Sequence, residues 1–150
     1  MKQDNTTKPI PHFRIRVGFL ITLFGFLVFL IGSKPNWFGL DRRPIVGFVQ
    51  ITVFLIGLGI ICIGGYITLA SLWNGAPKSI ASDIGLRLVG TGFLIAMASG
   101  MADVFGFGTE NIPGVPHFGR LQTIGVLIGE AVIGVGFLLL IPYRLHKGSD

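Results

Sequence analysis

Gly119 to Pro142 reads GRLQTIGVLIGEAVIGVGFLLLIP, an apolar run broken in its middle by one acid, Glu130. A helix rising about 1.5 Å per residue crosses the hydrocarbon core of a bilayer in about 20 residues, so this stretch is long enough to span it. A carboxylate at that depth is costly unless it is protonated, paired or facing a cavity. Glu130 therefore calls for a partner or a task.

Three further stretches share the character of this one: Val17–Gly32, extended back through Ile15 with Arg14 and Arg16 at the interface, then Ile45–Trp73 and Ile84–Phe107. Runs of this length without period-two alternation exclude a barrel, and helices alone then satisfy their backbone groups in lipid. The composition agrees: 51% hydrophobic, only 13% charged and a mean hydropathy of +0.74 give more apolar surface than a soluble domain of 150 residues can bury. The expected fold is an all-α integral membrane protein, one membrane domain over residues 1–150 with four spans at about 15–32, 45–73, 84–107 and 119–142. The second span is longer than a perpendicular crossing needs, so a tilt or a bend at Gly64-Gly65 is expected. The first lacks a small-x-small cleavage pattern and is read as a retained span.

Cytoplasmic loops carry the excess of Lys and Arg. Lys2, Lys8, Arg14, Arg16, Lys78, Arg87, Arg144 and Lys147 fall on one side; Lys34, Arg42, Arg43 and Arg120 fall on the other. Eight against four places both termini in the cytoplasm, in a bacterial cytoplasmic membrane. The net charge of +5 is explained by these flanks, so lipid rather than nucleic acid is the expected partner. Trp37, Trp73 and Tyr143 fall at interfacial levels.

The second and fourth spans match at a shift of 72 residues: Pro44, Gly47, Gln50, Gly57 and Gly64 fall on Pro116, Gly119, Gln122, Gly129 and Gly136. Gly18-Phe19-Leu20-Ile21 recurs as Gly92-Phe93-Leu94-Ile95 at a shift of 74. Among 23 glycines such Gly matches come easily, and the Pro and Gln matches carry more weight. They suggest two tandem two-helix hairpins related by a pseudo-twofold axis along the membrane normal.

At about 100° per residue, Gly119, Gln122, Thr123, Gly125, Gly129, Glu130, Gly134 and Gly136 occupy one half of the fourth span, opposite Leu121, Ile124, Leu127, Ile128, Val135, Leu138 and Leu139. Gly125-x3-Gly129 on that half permits close backbone approach. In the third span Gly85, Gly92, Ala96, Ser99, Gly100 and Gly106 gather on the side of Asp103, which is expected in the packed interior. Gln50, Gln122 and Asp103 then lie towards the outer side, with His117 in the loop above, and Glu130 lies about 16 Å along its span, near the midplane. Glu130, Asp103, Gln50 and Gln122 are the candidate ion, proton or intramembrane polar site. The structural alternative is that both glutamines are interhelical hydrogen-bonding glue, worth about 0.6 to 2 kcal/mol each, and that headgroups wet Asp103. Asp83 and Arg87 stand in the favourable order for a pair four apart, and Cys62 reads as a small apolar residue.

The three histidines lie outside the spans, and the chain has one Cys, no H-E-x-x-H and no phosphate loop. No catalytic, cofactor or metal site is therefore expected. The expected function is that of a non-enzymatic subunit or assembly partner of a larger membrane complex. The alternative is a small proton- or ion-coupled transporter or channel, acting as a homo-oligomer through Glu130. Protein partners, homo- or hetero-oligomeric, are expected in either case.

Overall fold

The computed structural model describes residues 12–34, 37, 39, 48–74, 77–106 and 119–142. Pro44, Gly47, Pro116, His117 and Tyr143 lie outside them, as do the loop basic residues Arg42 and Arg43. Four helices make up the fold: α1 (His12–Ser33), α2 (Phe48–Leu72), α3 (Ile80–Gly100) and α4 (Arg120–Leu140). All four are long and apolar enough to cross a membrane, and among the described residues there is no strand. The all-α membrane architecture read from the sequence is the one observed.

Local chemistry sets the helix ends. Asn74 closes α2 with a positive φ of 46°, a conformation that Asn tolerates better than most residues, and its N–H donates to the Ser71 carbonyl at 3.3 Å. Ser79 caps α3 by accepting from the Ser82 N–H at 3.2 Å, and Asp83 in the first turn complements the helix dipole. Asp83 also pairs with Arg87 at 3.0 Å on the exposed face. At the start of α4 the Gly119 N–H donates to the Gln122 side-chain oxygen at 2.8 Å, and Pro142 follows its last turn. The second helix runs uninterrupted through Gly64-Gly65.

Burial is inverted relative to a water-soluble bundle. The buried residues of α1 are Gly18, Gly25 and Gly32, whereas Phe19, Leu20, Phe24 and Leu27 are exposed. Large apolar side chains outward and small ones inward is the arrangement expected when lipid is the solvent and backbones approach each other closely. The approach is tight: a Cβ built on Gly18 would lie 2.8 Å from the Thr68 backbone nitrogen, and one on Gly92 would lie 2.6 Å from the Gly129 carbonyl oxygen. Thr22 and Thr68 flank the first crossing and donate their hydroxyls to Gly18 and Gly64 within their own helices, leaving no unpaired hydroxyl there.

Each of α1 and α3 packs along the helix that follows it, while the two hairpins meet more lightly through α2. Leu55 and Leu58 of α2 join Val89, Ala96, Ile133 and Leu140 in the shared core, with Cys62 half-buried beside it. The Trp73 indole N–H donates to the Leu140 carbonyl at 3.0 Å and ties the ends of α2 and α4 together.

Three expectations change. The third helix begins at Ile80 and ends at Gly100, so Asp103 follows it in a series of hydrogen-bonded turns and is exposed instead of packed inside. Gly134 faces outward, with nothing within 4 Å of where its Cβ would stand. Finally, Gly64 packs on Gly18 where Gly136 packs on Gly85, so the contacts set Gly18 level with Gly85, a shift of 67, and not with Gly92.

Candidate functional site: the cavity at Glu130

Between the two hairpins, at the end where α1 and α3 finish and α2 and α4 begin, lies a cavity of about 310 Å³. Its polar lining comes from Ser33, Gln50, Thr123 and Glu130, and its aromatic wall from Phe29 and Phe54. Each residue arrives there for a local reason. Ser33 is the last residue of α1, Gln50 stands in the first turn of α2, and Thr123 and Glu130 lie on one face of α4 two turns apart. Phe29 reaches the cavity because α1 and α2 touch backbone to backbone at Gly57, which leaves its ring to pack at a tilt of 37° against Phe54, with 4.7 Å between centroids.

Gly100 forms part of the inner wall, where a Cβ would stand 3.4 Å from Ile51 and 3.7 Å from Val126. No lining residue of α4 lies beyond Glu130, ten residues or about 15 Å into a helix of 21 residues. The lining thus extends from the helix ends to halfway along α4, and the core of Leu58, Val89 and Ile133 occupies the bundle beyond.

Glu130 is half-buried and has neither an ion-pair nor a hydrogen-bond partner among the described residues. Among the described residues no Lys, Arg or His lines the cavity. Thr123 donates to the Gly119 carbonyl at 3.2 Å, which leaves its oxygen free to accept. The arrangement offers one carboxyl group, several acceptor oxygens and two aromatic rings.

Of the four residues singled out from the sequence, the structure brings two together in this cavity, Gln50 and Glu130. Gln122 is buried beside the start of α4, where its oxygen caps the helix and its amide nitrogen has no partner among the described residues. The Gly119 N–H requires an acceptor, which fixes the amide with its oxygen towards that group. Asp103 stands apart, exposed in the turns after α3. Ser33, Phe29 and Phe54 were not singled out; Ser33 falls just past the hydropathic end of the first span, and nothing in the pattern separates two of 13 phenylalanines from the rest. No three His, Cys, Asp or Glu among the described residues lie close enough to hold a metal ion.

No family model, no curated protein and no solved structure matches this chain.

Proposed function

We propose that this chain is a small non-enzymatic carrier of the membrane that loads a cation at Glu130 from one face, working as a homo-oligomer. The observation that supports it is the cavity itself, whose lining extends from one set of helix ends to Glu130 halfway along α4, a carboxyl group without a partner among the described residues. Intramembrane acids that face a water-accessible space serve as ion or proton sites more often than as structural elements. A cavity that stops at Glu130 suits a carrier better than an open channel. The test is cation- or proton-driven flux in vesicles reconstituted with the purified protein. Glu130→Gln should abolish it and Asp103→Asn should leave it unchanged; unaltered flux in Glu130→Gln would sink the reading.

A second reading, a subunit of a larger membrane complex, draws support from a different observation. Among the described residues α1 packs closely only against α2, and the gap between α1 and α4 beyond the cavity would admit another chain. Native mass analysis of protein extracted gently from its own membrane separates the two, since a subunit travels with other chains and a carrier as copies of itself.

On either reading we place both termini in the cytoplasm of a bacterium, following the distribution of Lys and Arg, and the mouth of the cavity then faces outward. We also read the hairpins as tandem copies about an axis along the membrane normal. In support, Gly25 meets the backbone nitrogen of Ile61 where Gly92 meets that of Ile133, and Gly65 and Phe137, 72 positions apart, touch each other.

A further inference from the structure

Glu130 and Thr123 are seven residues apart on α4, a separation of about 10 Å along the helix. Gln50 and Ser33 stand at the Thr123 end. The cavity between is far larger than a bare ion, since a cavity of about 150 Å³ suffices for benzene. A volume of about 310 Å³ therefore takes a ring with a short chain attached. A hard metal cation such as calcium wants six or more oxygens at about 2.3–2.6 Å, and one carboxylate with its polar neighbours about 10 Å away does not supply them. A neutral oily molecule would desolvate the Glu130 carboxylate without replacing its hydration. Phe29 and Phe54 line it, and aromatic rings attract ammonium groups.

We infer that the cavity binds an elongated amine, with its ammonium head at Glu130, a ring-sized apolar body against Phe29 and Phe54, and a hydrogen-bonding tip among Ser33, Gln50 and Thr123. This rests on the carrier reading and names the chemical class of its cargo. The chemistry asks for three things at once: one positive charge, an apolar middle and a polar group about two helical turns away. An amine that lacks the tip leaves the mouth residues unsatisfied, and a phenol that lacks the amine leaves the carboxylate unpaired.

The probe is tyramine, titrated by calorimetry into the full chain in lipid nanodiscs, beside 4-ethylphenol, which lacks the amine, and phenethylamine, which lacks the hydroxyl. Tyramine should bind about tenfold or more tightly than 4-ethylphenol, the discrimination expected of a hydrogen bond to a charged group. It should exceed phenethylamine by about threefold, the share of one neutral hydrogen bond. Glu130→Gln should erase the preference over 4-ethylphenol, and Gln50→Leu combined with Thr123→Val should erase the preference over phenethylamine. Glu130→Asp keeps the acid and should keep the preference, and Glu130→Gln should still bind 4-ethylphenol as the unaltered chain does, so loss of fold in Glu130→Gln cannot imitate the result. Absence of tyramine binding, equal binding of 4-ethylphenol, or a preference that survives in Glu130→Gln would overturn the inference. Should neither amine bind while Glu130-dependent flux of protons or sodium persists, the cargo assignment falls and the carrier reading stands; loss of both removes both.

Discussion

Glycine at position 129 is held by geometry rather than by flexibility. A Cβ there would lie 2.6 Å from the Gly92 carbonyl oxygen and 2.7 Å from the Ala96 backbone nitrogen, and backbone atoms in a packed helix cannot step aside. Gly129→Val should therefore force α3 and α4 apart at a cost of about 1–3 kcal/mol, the range for overpacking. Gly134→Ala meets nothing and should stabilise the helix by up to about 1 kcal/mol. Reversible unfolding in mixed micelles reads both, and a Gly134→Ala variant as damaged as Gly129→Val would show that the outward face is occupied. Both glycines fall on the same half of a helical wheel, so the sequence could not tell them apart. What separates them is the neighbour across α4, and a neighbour is not legible in one helix's pattern. Glu130 was legible, because an acid within a long apolar run stands out whatever its surroundings.

At the scale of the helix, the ends carry the information that hydropathy lacks. The third span reads as apolar as far as Phe107, yet the helix ends at Gly100, beyond which the Ala102, Val104 and Gly106 N–H groups bond three residues back, to Ser99, Met101 and Asp103, and the chain continues in turns. Met101, Val104 and Phe105 keep the run oily after the helix has ended, which is why the wheel placed Asp103 inside. The start of α3 depends on Ser79, and Ser79→Ala should cost about 1 kcal/mol by leaving the Ser82 N–H without its acceptor. At the far ends of α2 and α4, Trp73→Phe should lose about 0.5–1.5 kcal/mol with the indole bond to Leu140, while the ring itself keeps its place. Thermal unfolding of the two variants checks these values, and hydrogen exchange at the last turn of α4 should quicken only in Trp73→Phe.

The whole molecule is two close-packed hairpins in a lighter embrace. Backbone meets backbone at Gly18 and Gly64 and again at Gly85 and Gly136, whereas between hairpins the contacts are made by side chains such as Phe93 on Gly59 and Phe137 on Gly65. Cutting the chain between Asn74 and Pro77 should therefore give two halves that each insert and fold when coexpressed. They should copurify in a mild detergent and part in a harsher one; halves that aggregate unless joined would contradict this division. The number of spans and their order were legible from hydropathy, and so was the tendency of small residues to face inward. The cavity was not, because it is the gap between two bodies, and a gap leaves no mark on the pattern of either. One contact between those bodies has mechanical meaning. The three atoms nearest to where a Cβ at Gly65 would stand all belong to the ring of Phe137, the first at 2.7 Å. Gly65 stands eleven residues along α2 from Phe54, about 16 Å from the cavity wall. Gly65→Ala and then Gly65→Val should press on the far end of the Phe137 ring, and a change in cation flux with every cavity residue untouched would show that the push carries from one hairpin to the other.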